Sequence, residues 1–261
     1  MTSGGHPSSE PASIGSTSIG STSSGPTSTR APHAPDLGPP TTLVLVRHGR
    51  TAFTEQGRFS GRPATVPGFA TVDPPLSPSG LDDARAVADA LLGLGDLPET
   101  GAGSPDVLLV SPMQRTRQTA AVIGQRLGLD PVVDEDWIEA GFGVWDGHTF
   151  GEVAARWPDE LAAWRGSLTV APPGGGESLQ DVVDRIRTAR RNTVAAYPGR
   201  VVVVVSHVTP VRVCVQEALD AGPSALWRLA VAPCSVTVVR HWSDGGCEVL
   251  CVNRVNRVAR G

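Results

Sequence analysis

The chain has 261 residues, with 22 basic and 26 acidic side chains and a formal net charge of −4. That length holds one large domain or two small ones, and the mild acidity argues against a nucleic-acid or membrane partner recruited by bulk charge. All 22 basic residues are arginine, so arginine content carries no argument and only arginine positions do.

In residues 1–40, 28 are Ser, Thr, Gly or Pro, and "SIGST" occurs twice in succession. Such a stretch cannot bury enough apolar surface to offset its ordering entropy, so a disordered tail is expected there and one domain over 41–261. Leu43–Val46 reads as a buried strand. Leu81, Ala84, Val87, Ala88, Leu91 and Leu92 fall at helical spacing, with Ser77 as cap and Pro78 in the first turn. Val107–Val110 reads as a second strand, and Pro112 opens a helix towards Leu127 that Gly128 ends. After an irregular middle, Leu179, Val182, Val183, Ile186 and Ala189 form another helical stripe. Val201–Val205 is apolar on both faces, as central parallel strands are. A helix is predicted from about Pro210 to Leu219, then strands at Ser235–Val239 and Glu248–Val252 around an Asp244-Gly245-Gly246 turn. The alternation predicts an α/β three-layer sandwich, a mainly parallel central sheet flanked by helices.

No apolar run approaches the ~20 residues of a membrane helix, and the N-terminus lacks the basic start and apolar core of a signal peptide. The four cysteines, Cys214, Cys234, Cys247 and Cys251, form no Cys-x-x-Cys pair and read as small apolar residues in a reducing compartment. A cytoplasmic protein is expected.

Three strands end in reactive or phosphate-suited groups: Arg47-His48-Gly49, then Ser111 with Arg115 and Arg117 following, then Ser206-His207. Ligands of open α/β sheets bind beyond the carboxyl ends of the strands, so these groups are placed to converge. Guanidinium forks match phosphate oxygens, and neutral imidazole is a nucleophile. Nearby cations keep an imidazole neutral and stabilise the charge on a phosphoryl group in transfer. Glu139, in "DWIEAGFGVWDG", is the candidate proton donor, because a carboxyl group beside apolar surface and an anionic ligand tends to hold its proton. Phe142, Trp145, Trp157 and Trp164 divide between core packing and the wall of a leaving-group pocket.

These pieces resemble the histidine phosphatase superfamily, the phosphoglycerate-mutase-like proteins. The matching stretches are "LVLVRHGRT", "RFSG", "LSPSG", "SPMQRTRQTA", "IEAGFGVWDG", "GGES" and "VVSHVTP", in family order across nearly all of 41–261. The resemblance implies His48 as the phosphorylated nucleophile and Arg47, Arg115 and His207 as holders of the phosphoryl group. It implies Glu139 as proton donor, with no metal and no cofactor. Thr54 stands where many mutases have a phosphate-contacting asparagine, so its hydroxyl is a candidate substitute. Arg62 and Arg58 are candidate supporting contacts to phosphate, or else exposed arginines. Arg50, where glutamate or glutamine is usual, either adds a cation beside the pocket or points to solvent. Glu177 is expected to favour the dipole of the helix it precedes, and residues 63–72 form an insertion, as a lid or a surface loop.

Within the superfamily, "RFSGR", "FGVWDG", "WPDELAAW" and "SHVTP" look most like the acid phosphatase module of bifunctional ribonuclease H/acid phosphatase proteins, and like alpha-ribazole phosphatases. Residues 1–40, with Glu10 and Asp36 as their only carboxylates, do not supply a ribonuclease H part. The expected function is a metal-independent phosphomonoesterase acting through phosphohistidine on a small-molecule phosphate ester, with no nucleic acid or membrane partner. The alternatives are phosphoglycerate mutase-type transfer and a non-catalytic phosphate-ligand sensor.

Overall fold

The computed structural model describes residues 38–62, 73–94 and 103–255. Residues 1–37 of the tail expected over 1–40, and the insertion at 63–72, lie outside these. Six strands form one sheet: β1 (Thr41–Arg47), β2 (Val107–Val110), β3 (Pro131–Val133), β4 (Val201–Ser206), β5 (Val236–His241) and β6 (Cys247–Arg254). Their order is β3-β2-β4-β1-β5-β6. The first four run parallel, β5 is antiparallel to β1, and β6 is antiparallel to β5. The expected mainly parallel α/β fold is therefore present, closed on one side by a hairpin.

The helices are α1 (Ala52–Gln56), α2 (Pro78–Leu92), α3 (Gln114–Leu127), α4 (Phe150–Arg156), α5 (Pro158–Gly166), α6 (Leu179–Ala196) and α7 (Val208–Ala218). Strand alternation sorts the core into two layers. Leu43, Leu45, Leu109, Val202 and Val204 face one cluster with α6, α7 and the aromatics of the middle segment. Val44, Val46, Leu108, Val110, Val203 and Val205 face the other, with α2 and α3. The valine run of β4 is buried throughout because it lies between β2 and β1 with helices on both sides.

Local signals act as read. Ser77 caps α2 by accepting the Gly80 N–H at 3.2 Å, with Pro78 in the first turn, and α3 ends at Gly128. Three expectations need correction. α7 starts at Val208, two residues before Pro210, because His207 is its N-cap and a proline in the first turn gives up no intrahelical hydrogen bond. The middle segment is not irregular throughout: it holds α4, capped by Thr149 and Glu152, and α5, opened by Pro158. The short edge strand β3 had no apolar run to announce it, and its three residues are exposed. All four cysteines are free thiols. Among the described residues, no helix is long and apolar enough to cross a membrane.

Candidate active site

The parallel register places Arg47 beside Ser206 and Val110 beside Val205. His48, Ser111 and His207, each the next residue in its chain, therefore emerge side by side. Backbone bonds continue the ladder past the strands, from His48 N–H to the Ser206 carbonyl (2.9 Å) and from Ser111 N–H to the Val205 carbonyl (3.0 Å). The two imidazoles meet edge to face with centroids 5.3 Å apart. Gly49 follows because the turn presses on α2: a Cβ there would stand 2.5 Å from the Gly80 carbonyl oxygen.

Hydrogen bonding fixes both tautomers. A carbonyl only accepts, so the 2.8 Å contact of His48 Nδ1 with the Gly49 oxygen puts the proton on Nδ1 and the lone pair on Nε2. A guanidinium only donates, so Nδ1 of His207 accepts from Arg115 Nη2 at 3.2 Å. Nε2 of His207 then donates to Ser111 Oγ at 2.7 Å. Burial holds both imidazoles well below their ordinary pKa, and the fields of Arg115 and Arg47 push the same way. His48 is thus a neutral ring with a free nitrogen lone pair, lining a pocket of about 220 Å³.

The cations are braced. Arg115 is fully buried; it pairs with Asp73 through Nη1 at 3.0 Å and donates from Nη2 to the Ser60 carbonyl at 3.1 Å. Arg47 donates from Nη1 to the Val231 carbonyl at 2.6 Å, and burial pushes its guanidinium down to about 10. Nε of each is buried without a hydrogen-bond partner among the described residues. Arg117 faces solvent on α3, away from this group.

Glu139 stands at the pocket, 5% exposed, its Oε1 accepting the N–H of Ala140 (2.9 Å) and of Thr209 at the start of α7 (3.3 Å). Its loop is tied to α6. Arg185 donates to the carbonyls of Asp136 (2.7 Å) and Ile138 (2.9 Å) and pairs with buried Glu177 at 2.9 and 3.1 Å. Glu177, directly before the N-cap of α6, therefore also serves a buried ion pair. Breaking such a pair costs ~3–5 kcal/mol.

The remaining candidates separate. Thr54 lines the pocket, while its hydroxyl closes the capping box of α1, accepting Thr51 N–H at 2.6 Å and donating to the Thr51 carbonyl at 2.8 Å. Arg62 does not line that pocket; its Nε lies 3.6 Å from Glu177. Arg58 lines it but is held by the Gly147 carbonyl and Glu152 at 2.7 and 3.1 Å. Arg50 does not line the pocket; its side chain is 38% exposed, as the solvent-facing alternative has it, and pairs with Asp83 on α2 at 2.6 and 2.8 Å. Of the aromatics, Trp145 is core, whereas Phe142 and Trp164 both pack in the core and line the pocket.

Sequence reading overlooked Arg212, which lines the pocket with its Nε bound to the Leu229 carbonyl at 2.8 Å. Its signal was a position one and a half turns past His207, hidden by starting the helix at Pro210. Asp73 and Ser60 were also missed, because each meets Arg115 only through folded geometry. Among the described residues, no group of three or more His, Cys, Asp or Glu side chains converges as a metal ion would require.

A mainly parallel sheet presenting two imidazoles and two guanidiniums beyond its strand ends, with a carboxyl group on the neighbouring loop, is the arrangement of the phosphoglycerate-mutase-like fold. The chain belongs to the histidine phosphatase superfamily (branch 1), whose sequence pattern matches residues 43–255. The bifunctional protein Rv2228c of Mycobacterium tuberculosis is 38% identical over 217 residues, which are 83% of this chain and 55% of that protein. The chain thus spans about half the length of that relative. Phosphoserine phosphatase 1 of Hydrogenobacter thermophilus is 28% identical over 211 residues, 81% of this chain and 91% of that one. The structure of mycobacterial glucosyl-3-phosphoglycerate phosphatase complexed with VO3 superposes with a TM-score of 0.68 at 28% identity, covering 82% and 99% of the two chains.

Proposed function

We propose that this chain hydrolyses small phosphate monoesters without a metal, through a phosphohistidine on His48. The observation that carries this is the tautomer of His48: Nδ1–H is committed to the Gly49 carbonyl, so the Nε2 lone pair is free in a cationic pocket. Nε2 attacks phosphorus in line, the ester P–O bond breaks, and Glu139 gives its proton to the departing oxygen. Arg47 and Arg115 gather the phosphoryl oxygens, with neutral His207 bracing Arg115 through Nδ1, and the two fixed charges meet the charge that spreads over those oxygens in the transition state. Glu139, now a carboxylate, takes a proton from water, whose oxygen attacks phosphorus and breaks the P–N bond. Phosphate leaves and both residues return to their starting states.

The leaving group lies among Phe59, Phe142, Trp164, Leu226 and Trp227, a largely apolar wall that suits an ester with an apolar or aromatic portion. The relatives' names put phosphoserine and glucosyl-3-phosphoglycerate on the screening panel.

The test is release of inorganic phosphate from p-nitrophenyl phosphate with EDTA present, with alkaline-detergent quenching to trap labelled enzyme, since the P–N bond of phosphohistidine is labile to acid and stable to base. Turnover unaffected by EDTA and a phosphoenzyme absent from His48→Ala are expected. Interconversion of phosphoglycerates faster than phosphate release, or tight ester binding without turnover, would replace this reading by the mutase or the sensor.

A further inference from the structure

Asp146 is the acidic residue of "FGVWDG", outside every role assigned above. Its Oδ1 accepts the Gly61 N–H at 2.7 Å, and its Oδ2 is buried without a hydrogen-bond partner among the described residues. The Gly61 N–H belongs to the same peptide unit as the Ser60 carbonyl, and that carbonyl accepts Arg115 Nη2 at 3.1 Å. In a planar trans peptide the N–H and C=O point in opposite directions. One peptide group therefore stands between a carboxylate and a buried guanidinium, its dipole aligned with both charges. Each hydrogen bond in such a chain polarises the next.

The surroundings leave this turn little freedom. A Cβ on Gly61 would overlap the Ala140 carbonyl oxygen, and the Arg62 N–H binds that same oxygen at 3.2 Å. The Gly147 N–H returns to the Phe59 carbonyl at 2.9 Å. The stretch 58–62 is thus stitched to the loop that carries Glu139, and Asp146 supplies the charged stitch.

We propose that Asp146 is a positioning residue for the phosphoryl-binding Arg115, acting through the Ser60–Gly61 peptide, which it orients and polarises. This rests on the reading of Arg115 as a phosphoryl-group holder. The charged groups acting on Asp146 are Arg115 on α3 and Glu139 on the neighbouring loop; Asp73, on the far side of Arg115, is its direct and partly exposed counterion. Burial is the main reason the Asp146 carboxyl is pushed up to about 6, so its charge changes within an accessible pH range.

The experiment compares wild type, Asp146→Asn and Asp146→Ala in kcat across pH. Asparagine keeps the acceptor oxygen and removes the charge. At pH ~7.5 a charged acceptor bonds roughly twice as strongly as a neutral one, so kcat of Asp146→Asn is expected about tenfold below wild type. Below pH ~5 the wild-type carboxyl is itself neutral, and the ratio should fall towards about 1. The substrate's own ionisation is common to both proteins and cancels in this ratio. Asp146→Ala releases the turn and should lower kcat about 100-fold. A wild-type to Asp146→Asn ratio flat across pH would mean a merely structural role and overturn the proposal. Calorimetric affinity for inorganic phosphate reads Arg115 without turnover; Asp146→Ala should bind about tenfold more weakly. Unchanged affinity overturns the role of Asp146 even where turnover is absent, whereas absent turnover in wild type counts against the phosphatase reading alone. Should Asp146→Ala not fold, the near-isosteric Asp146→Asn decides both measurements.

Discussion

Lowering the pH from ~7.5 to ~5.5 should destabilise this fold by roughly 3–4 kcal/mol, chiefly through three buried imidazoles. His48 and His207 are held well below their ordinary pKa, first by burial and then by the neighbouring arginines. Burial and then Arg190 lower His241 to about 4. In the unfolded chain each titrates near ~6.5, so the unfolded state gains protons in this interval and the folded state does not. Stability therefore falls as pH falls, by ~1.4 kcal/mol per imidazole, or about 4 kcal/mol for the three. Asp146, raised to about 6, acts in the opposite direction and offsets part of this. Against a total stability of ~5–15 kcal/mol the loss is large. With a urea m-value of ~2 kcal/mol/M, the unfolding midpoint should drop by roughly 1.5 M. His241 lies outside the active site, so His241→Gln tests the assignment and should reduce the drop by about one third. A midpoint that does not move with pH, or a full-sized drop in His241→Gln, would refute the reasoning.

Glu139→Gln should cost about 10²–10³ in kcat on alkyl phosphates and under about tenfold on p-nitrophenyl phosphate, whose leaving group needs little protonation. Equal losses on both substrates would remove Glu139 from the acid role. Gly61→Ala places a Cβ onto the Ala140 carbonyl and against Phe142, an overpacking worth ~1–3 kcal/mol that calorimetry would read as a Tm lowered by several degrees. Its kcat should fall as well, because the displaced turn carries the Ser60 carbonyl that orients Arg115; an unchanged Tm would mean the turn yields freely.

Much of this protein is written along the chain. The valine run at 201–205, the capping Ser77 with Pro78, and the apolar stripe from Leu179 to Ala189 each specify an element through local chemistry, because burial on both faces or on one helical stripe leaves a periodic trace. The strand-end residues His48 and His207 were legible for the same reason: a polar group that stops an apolar run marks the carboxyl edge of a sheet. Tertiary structure alone decided the rest. The exposed edge strand β3 is paired by its neighbour and has no apolar pattern of its own. The fates of Arg50, Arg58 and Arg62 were set by carboxylates and carbonyls that only folding brings near. Arginine is long and flexible, so sequence position does not say where its guanidinium ends. The Asp146–peptide–Arg115 chain is likewise invisible in sequence, since a hydrogen bond through a backbone amide carries no residue-type signature. Local chemistry determines which elements form, and the packing of distant segments decides which charges meet.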